Sequence, residues 1–333
     1  MASAVHGEVR EAPSNYLIVG GAGFIGSHFT DCLLLMPEIR AVTLYDNFSS
    51  GREWHYRHHQ DDARLEIVRG EVGDLDLLTE SMRGHDVVIH LASNPDIARA
   101  AVEPEIDFHQ GTALTNNVVE AMRRAGVPRL LYASGSGVYG DIGETEAFED
   151  YGPLIPTSTY GASKLAGEGL ISSYCHMFGL TARVFRFGNV VGPRQTHGVG
   201  LDFVRRLKAD PTQLRILGDG RQSKSYIYVT DVVSAVLLAN VSDAGSFRAF
   251  NVATGDYITV TEIADLAVEV LELKSRPRYG YTGGDRGWKG DVPVVRLNTD
   301  RIKSLGWKCR WNCREALRMS MASMASDERV VHA

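Results

Sequence analysis

Short apolar runs rich in β-branched residues alternate with longer helical patterns over the first 190 residues of the chain. Runs that are apolar throughout are typical of strands covered by helices on both faces of a parallel sheet. The pattern predicts a doubly wound α/β fold. Its predicted strands lie at 16–19, 41–45, 65–68, 87–91, 130–134 and 182–187, and its most prominent helices at 107–125 and 158–178.

After about residue 190 this alternation gives way to loops rich in Pro and Gly that separate shorter elements. We expect a large domain over 15–190, to which a segment near 225–255 returns, and a smaller α+β cap domain over 191–325. Short polar tails at 1–14 and 326–333 are predicted to be flexible. The later elements are predicted as helices at 201–208, 231–240 and 261–271 and strands at 214–217 and 226–229.

The composition excludes several classes of function. A net charge of −6 provides no basic surface for a nucleic-acid backbone or an anionic membrane. No stretch of about 18 apolar residues predicts a membrane span, and the first thirteen residues lack the apolar segment of a secretory signal. The four cysteines have neither zinc-knuckle nor CxxC spacing, which favours free thiols. We therefore expect a cytoplasmic protein with no nucleic-acid or membrane partner.

A glycine motif, GGAGFIG at 20–26, follows the first predicted strand and opens a helical pattern. Its spaced glycines, Gly20, Gly23 and Gly26, suit a tight turn whose backbone approaches a pyrophosphate and whose helix packs closely on the strand. The N-terminus of that helix would face the phosphates. In this strand–turn–helix context the motif predicts a Rossmann-type dinucleotide-binding fold.

Asp46 ends the second predicted strand, where a carboxylate accepts hydrogen bonds from ribose hydroxyls and repels a 2′-phosphate. Residues 47–51 contain no arginine that would bind such a phosphate, although Arg52 comes next. The cofactor is therefore predicted to be NAD rather than NADP.

A second motif, YGASK at 160–164, lies in the predicted helix at 158–178. Of the thirteen tyrosines, only Tyr160 is followed four residues later by a lysine, Lys164. That spacing places both side chains on one face of a helix. An ammonium group beside a phenol lowers the phenol pKa from its usual value of about 10 and favours a general base. We expect Tyr160 to be the catalytic base and Lys164 the group that tunes it.

The order and spacing of these motifs resemble the extended short-chain dehydrogenase/reductase family of nucleotide-sugar epimerases and dehydratases, and most closely its UDP-hexose or UDP-hexuronate 4-epimerases. The resemblance runs from about residue 15 to residue 307. It implies NAD as cofactor, a UDP-sugar as substrate, C4 epimerisation through a transient 4-keto sugar, and a homodimer. Besides GGAGFIG and YGASK it includes HLAS at 90–93, SGSGVYG at 134–140, RFGNVVGPR at 186–194 and LGDGRQSKSYIYVTDV at 217–232.

The resemblance also assigns residues to two binding sites. Ser134 and Ser136 join Tyr160 and Lys164 as candidate catalytic residues. The predicted NAD-binding residues are Gly20, Gly23, Phe24, Ile25, Gly26, Asp46, Asn47, Ser49, Gly51, Glu71, Val72, Leu91, Ala92, Ser93, Tyr160 and Lys164. The predicted substrate-binding residues are Ser134, Ser136, Tyr160, Asn189, Arg194, Thr196, Lys224 and Arg286.

The segment at 134–140 departs from the family pattern. The serine or threonine that usually contacts the reacting sugar hydroxyl is replaced by Gly135, so Ser134, Ser136 or a water molecule would supply that contact. The same segment lacks the carboxylates with which 4,6-dehydratases eliminate water across C5 and C6. A 4-keto intermediate could then only be reduced again or, with a C5 carboxylate, lose CO2.

The substrate side departs as well, and several alternatives stay open. Lys224 stands where the family has an arginine, and either Arg286 or Lys289 would meet the diphosphate. Arg194 could contact a C6 carboxylate, which keeps UDP-glucuronate/galacturonate beside UDP-glucose/galactose. The alternatives to a 4-epimerase are a UDP-glucuronate decarboxylase, a 4,6-dehydratase or 4-ketoreductase, and a non-catalytic NAD-binding regulator. His55, His58 and His59 have no carboxylate at metal-site spacing nearby in sequence, so no metal is predicted.

Overall fold

A computed structural model describes residues 13–94, 97–327 and 329 of the chain. All six strands predicted before residue 190 are present, each within one residue at either end. A seventh strand comes from later in the chain. The seven strands are β1 (Asn15–Val19), β2 (Ala41–Asp46), β3 (Leu65–Arg69), β4 (Val87–His90), β5 (Arg129–Gly135), β7 (Thr181–Phe187) and β12 (Phe247–Val252).

These strands form one parallel sheet in the order β12-β7-β5-β4-β1-β2-β3. The order reverses between β1 and β4, where the carboxyl ends of the strands border a crevice, the usual ligand site of a doubly wound sheet. The remaining strands are short and pair outside this sheet. They are β6 (Glu146–Ala147), β8 (Asn189–Val191), β9 (Gln213–Ile216), β10 (Ser223–Lys224), β11 (Tyr226–Tyr228), β13 (Ile258–Thr259), β14 (Arg278–Tyr281) and β15 (Arg296–Leu297).

Helices cover both faces of the sheet and build a separate cluster after residue 190. Their bounds are α1 (Phe24–Leu34), α2 (Leu75–Met82), α3 (Leu114–Ala125), α4 (Thr159–Phe178), α5 (Val199–Ala209), α6 (Val229–Ser242), α7 (Val260–Val270), α8 (Asp300–Lys303) and α9 (Cys313–Ser326). Single turns of 3₁₀ helix occur at Glu53–His55, Arg57–His59, Ile97–Ala101 and Ser136–Tyr139.

The three largest apolar cores of the described residues hold these layers together. One lies between the sheet and α1 and α6, and a second lies between the opposite face and α2, α3 and α4. Both are as predicted for strands whose side chains are buried on both faces. The third core packs α5, α7 and α9 against β9 and β11.

The two predicted long helices are present, with one difference. Ser158 caps α4 by accepting a hydrogen bond from the Gly161 N–H at 3.1 Å, as a serine N-cap does. The helix predicted at 107–125 starts instead as a π-helical turn, Phe108–Ala113, before α3. Gly111 in this turn lies so close to α4 that a Cβ would come within 2.6 Å of the Ser163 hydroxyl.

The predicted tails fall mostly outside the described residues: of 1–14 only 13 and 14 are described, and of 326–333 only 326, 327 and 329. Within the described part of the chain, no helix combines the length and the apolar character that crossing a membrane requires.

Candidate active site

The turn between β1 and α1 leaves a cradle of bare backbone at the edge of the crevice. Gly20 has a φ of +82°, and a Cβ there would lie 2.8 Å from the backbone nitrogen of Ala92. A Cβ on Gly26 would lie 2.6 Å from the carbonyl oxygen of Gly21. Gly23 precedes α1 and has no side chain to bond the first helical N–H groups, which stay available to an anion. The turn therefore fits a pyrophosphate.

Asp46 joins this turn to the loop that follows β2. Its carboxylate is buried and accepts the N–H groups of Ala22 at 2.9 Å and Phe48 at 2.7 Å. Burial raises the pKa of Asp46, and these two hydrogen bonds oppose that rise. A Cβ on Gly51 would lie 2.8 Å from Asp46 Oδ1, so only glycine lets the loop pass so close. Each carboxylate oxygen keeps a lone pair for a ribose hydroxyl.

The other residues predicted around the adenosine lie near Asp46 in the structure. Asn47 Nδ2 donates to Glu71 Oε2 at 3.1 Å, and the Ser49 N–H donates to Asn47 Oδ1 at 3.0 Å. Val72 is buried, while Asn47 and Glu71 are exposed. The guanidinium of Arg52 donates to the Gly51 carbonyl oxygen at 2.9 Å. Phe24 and Ile25 form the first turn of α1.

The segment after β4 connects the glycine turn to the predicted catalytic pair. The N–H groups of Leu91 and Ala92 both donate to the Val19 carbonyl oxygen, at 2.9 and 3.1 Å. The next residue, Ser93, makes a side-chain hydrogen bond with the phenol of Tyr160. The predicted dinucleotide cradle and the predicted catalytic tyrosine are thus neighbours.

Lys164 lies beneath Tyr160 on the inner face of α4. Its side chain is 3% exposed, its Nζ donates to the Ala133 carbonyl oxygen at 2.9 Å, and Nζ lies 5.5 Å from the centre of the Tyr160 ring. Burial lowers the pKa of Lys164 to about 8, although the nearby Asp107 and Glu168 carboxylates favour its charged form. The ammonium is therefore held at an energetic cost beside the phenol.

The pKa of Tyr160 differs from the sequence prediction. Burial raises this pKa, the carboxylate of Asp107 adds to the rise, and the hydrogen bond from Ser93 opposes it. Asp107 is itself buried and accepts the side chains of Asn94 at 2.9 Å and Thr159 at 2.7 Å. In the protein without cofactor and substrate the phenol is therefore kept protonated, and its pKa is raised where the sequence predicted that it would be lowered.

The burial of Lys164 predicts a pH-dependent gain in stability when its charge is removed. Lys164→Met should raise the free energy of unfolding at pH 7 by on the order of 3 kcal/mol, because the folded pKa lies below that of the unfolded chain. The unfolded chain binds more protons between pH 8 and 10.5, so wild-type stability rises there and the gain shrinks. Denaturant unfolding of both proteins from pH 7 to pH 10 measures the difference.

The control for this prediction is Lys274→Met, which removes an exposed lysine. It should change stability little at any pH in that range. A Lys164→Met gain that is as large at pH 10 as at pH 7 would rule out the buried charge as its cause.

The two candidate serines differ in their surroundings. Ser134 is buried, and its hydroxyl donates to Glu168 Oε1 at 2.6 Å. Ser136 begins a 3₁₀ turn and is partly exposed, and within the described residues its hydroxyl makes no hydrogen bond. A Cβ on Gly135, between them, would meet nothing within 4 Å. Only Ser136 thus has its hydroxyl available.

Two of the predicted diphosphate residues, Lys224 and Arg286, come together around Asp291. Lys224 Nζ pairs with Asp291 Oδ1 at 2.5 Å, and Arg286 donates to the Asp291 carbonyl oxygen at 2.5 Å and to Asp141 Oδ2 at 2.5 Å. Lys289 is exposed and lies two residues before Asp291. A diphosphate would have to compete with Asp291 for Lys224 and with Asp141 for Arg286.

The other predicted substrate residues lie on the chain between β7 and α5. Asn189 is exposed, with its Nδ2 donating to the Ser225 carbonyl oxygen at 3.2 Å, and Thr196 is partly exposed. Arg194 is bonded elsewhere: its guanidinium pairs with Asp31 and donates to the His55 carbonyl oxygen at 2.9 Å. The side chain of Arg194 is only 14% exposed.

Residues 16–253 of the chain match the model of the NAD-dependent epimerase/dehydratase family. The protein belongs to this family. UDP-glucose 4-epimerase of Mycolicibacterium smegmatis is 32% identical over 300 residues, which cover 88% of this chain and 92% of that one. dTDP-glucose 4,6-dehydratase of an Actinoplanes species is 31% identical over 317 residues, which cover 87% and 96%.

Solved structures of the epimerase/dehydratase family agree with the fold. UDP-glucose 4-epimerase of Thermus thermophilus in complex with NAD superposes with a TM-score of 0.82 at 30% identity, covering 93% of this chain and 98% of that one. The chain is therefore an NAD-dependent enzyme of the family, with the Rossmann-type sheet predicted from its sequence.

A buried ion pair behind Tyr160 and Lys164 was not predicted from the sequence. The guanidinium of Arg186 on β7 donates to both carboxylate oxygens of Glu168 on α4, at 3.0 Å to Oε1 and 2.7 Å to Oε2. The same guanidinium donates to the Tyr139 hydroxyl at 2.9 Å, and that hydroxyl donates to Asn251 Oδ1 at 2.7 Å. The network ties β5, α4, β7 and β12 together beneath the site. The one sequence signal was a glutamate one helical turn after Lys164, on the same face of α4.

Proposed function

We propose that this protein interconverts UDP-glucose and UDP-galactose by NAD-dependent epimerisation at C4. The main support is the position of Tyr160 and Lys164, which lie beside the dinucleotide cradle and connect to it through Ser93. Relatives in the family act on UDP- and dTDP-sugars, so the family leaves the reaction itself open.

In the proposed mechanism Tyr160 reacts as the phenolate, which the Lys164 ammonium stabilises, and its oxygen takes the proton of the sugar 4-hydroxyl. NAD held in the cradle formed by Gly20, Gly23, Gly26 and Asp46 would supply the hydride acceptor for C4 and the hydride donor for its reduction. The Ser136 hydroxyl hydrogen-bonds the sugar oxygen. The 4-keto sugar turns over about its diphosphate tether, so that reduction occurs on the opposite face and Tyr160 gives the proton back.

The residues around this pair favour epimerisation over elimination. A 4,6-dehydratase needs an acid and a base to remove water across C5 and C6. The segment Gly135-Ser136-Gly137 supplies neither, and the buried carboxylate of Glu168 is already shared by Arg186 and Ser134. Reduction of the 4-keto sugar at C4 is the outcome that these side chains can support.

A neutral hexose is favoured over a hexuronate because of the engagement of Arg194. In sequence, Arg194 was the cation that could meet a C6 carboxylate. Its guanidinium is held instead by Asp31, His28 and the His55 carbonyl oxygen. A hexuronate would have to displace Asp31 to use this arginine. The homodimer that the family resemblance implies stays a prediction.

The proposed function is tested by following a panel of UDP-, dTDP- and GDP-sugars by proton NMR without added cofactor. The nicotinamide released on denaturation is identified in parallel. Inversion of UDP-glucose at C4 with NAD released supports the proposal. It is overturned by CO2 loss from UDP-glucuronate, a stable 6-deoxy-4-keto product, stoichiometric NADH release, or bound NAD with no turnover, which would identify a regulator.

The role of Ser136 gives a separate prediction. Ser136→Ala should lower kcat by about 10²-fold, the typical effect of removing one hydrogen-bond donor at a reacting oxygen. Ser134→Ala should leave kcat unchanged, because the Ser134 hydroxyl already serves Glu168. Steady-state kinetics of both variants, with NAD content checked, provide the measurement.

A rescue variant makes this prediction sharper. Because the position of a Gly135 side chain is open, Gly135→Ser in the Ser136→Ala background should restore part of kcat. Loss of kcat in Ser134→Ala together with wild-type kcat in Ser136→Ala would assign the hydroxyl to Ser134 instead.

A further inference from the structure

A cluster of metal-ligating side chains lies outside the proposed active site, where α1 meets the 3₁₀ turn Arg57–His59. Two imidazoles of that turn contact the same carboxylate oxygen of Asp31 in α1. His58 Nε2 lies 2.7 Å and His59 Nε2 lies 2.9 Å from Asp31 Oδ1. The ligand atoms of these three residues all lie within 4.8 Å of one another. The carboxylate that was missing near these histidines in sequence therefore comes from 27 residues earlier in the chain.

The donor set selects a class of ion. Two imidazole nitrogens with one carboxylate oxygen suit first-row transition metals and zinc, whereas Mg²⁺ and Ca²⁺ prefer oxygen ligands alone. In a tetrahedral zinc site, bonds of about 2.1 Å separate neighbouring donor atoms by about 3.4 Å. The separations of 2.7 and 2.9 Å are shorter than that spacing, so the two imidazoles would have to move away from Asp31 Oδ1 by about half an ångström to admit an ion.

The second oxygen of Asp31 is fixed by a different partner. Arg194 pairs with Asp31 Oδ2 and also donates to Oδ1 at the longer distance of 3.4 Å. The Arg194 guanidinium also donates to the His55 carbonyl oxygen at 2.9 Å. This bond orients the carboxylate so that Oδ1 faces both imidazoles, as outer partners of metal ligands commonly do. The positive charge of Arg194 also reduces the affinity for a cation.

The cluster opens on a cleft of about 770 Å³ lined by Asp31, His58, Trp54, Arg57 and Ser323, among others. The His58 side chain is 49% exposed and that of His59 20% exposed. Water can therefore reach the open positions of an ion bound by three protein ligands, which is the usual coordination of an accessible zinc site.

We propose that Asp31, His58 and His59 bind one divalent transition-metal ion, with zinc as the fitting example. The ion would fasten the 3₁₀ segment to α1. The preceding 3₁₀ turn, Glu53–His55, is bonded to the glycine turn, because His55 Nδ1 lies 2.7 Å from the Ala22 carbonyl oxygen and the Arg52 N–H donates to that oxygen at 3.0 Å. Metal binding would thus stabilise the wall of the cradle without entering it.

The test uses the full-length protein without an affinity tag, stripped with a chelator and dialysed against Zn²⁺ or Co²⁺. We expect one equivalent of metal per chain, a visible Co²⁺ absorption band, and a higher Tm with Zn²⁺ because the ion binds the folded state. All three effects should disappear in His58→Ala/His59→Ala, and in the milder His58→Gln/His59→Gln. The matched control, His176→Ala, removes an exposed histidine of α4 and should keep them.

Retained NAD in the double variants shows that they are folded. The proposal is overturned if the wild-type protein binds no metal above the level of the double variants, or if both double variants keep the full equivalent. Because the readouts are metal content, Co²⁺ absorption and Tm, they do not depend on which sugar the enzyme converts.

Discussion

Replacing Tyr160 with phenylalanine is expected to reduce kcat by about 10²- to 10⁴-fold, the range for a lost general base. The phenolic oxygen is the proposed proton acceptor, and the ring itself, which packs 5.5 Å from Lys164 Nζ, is kept. Folding and NAD content should therefore stay close to wild type. Proton NMR of C4 inversion gives kcat, and the nicotinamide released on denaturation gives the cofactor content.

Tyr174→Phe is the matched control for this variant, since Tyr174 lies on the same helix and its hydroxyl bonds Glu120 at 3.3 Å, away from the cradle. It should retain wild-type kcat. A Tyr160→Phe enzyme as active as wild type would remove Tyr160 from the mechanism. Loss of NAD together with activity would assign it to cofactor binding instead.

Replacing Glu168 with glutamine is expected to lower the free energy of unfolding by about 3–5 kcal/mol. Glu168 and Arg186 are almost fully buried, with side chains 6% and 5% exposed, so the substitution leaves a cation in the protein interior without its counter-charge. The Arg186 contact with Tyr139 cannot compensate, because a phenol is neutral at physiological pH. Urea unfolding followed by circular dichroism measures the loss.

Two controls distinguish the loss of the buried charge from the loss of a hydrogen bond and from the loss of a surface ion pair. Ser134→Ala removes only a hydrogen bond to Glu168 and should cost about 1 kcal/mol. Glu120→Gln breaks a surface pair with Arg123 and Arg124 and should cost less than about 1 kcal/mol. If Glu168→Gln is no more destabilising than these, the buried pair contributes no special stability.

The sequence was sufficient for six of the seven strands of the sheet because its information there is local. Strands covered on both faces are continuous apolar runs, so the run at 182–187 identified β7 without knowledge of its neighbours. The glycine motif and Asp46 could also be identified from the sequence, since each lies at the end of a strand that borders the crevice. A segment near 225–255 was expected to return to this domain, but β12 was not predicted as a strand, because nothing in 247–252 indicates that it pairs with the edge formed by β7, 65 residues earlier.

The functional geometry was less predictable because it depends on contacts between distant residues. Arg194 was assigned to substrate in sequence, whereas its partner Asp31 lies 163 residues away. Ser134 and Ser136 were equivalent until the position of Glu168 separated them. The pKa of Tyr160 was expected to fall because only Lys164 was considered, and the opposing burial and the Asp107 carboxylate are tertiary effects.

The register of β12 beside β7 has a consequence for how the protein is made on the ribosome. Until residue 252 has left the exit tunnel, β7 is an open parallel edge with buried-type side chains on both faces, a template for pairing with other chains. Truncation between α5 and β12 should therefore give an aggregating fragment and not a smaller NAD-binding protein. Nascent chains paused in that interval are where we expect chaperones to be needed most.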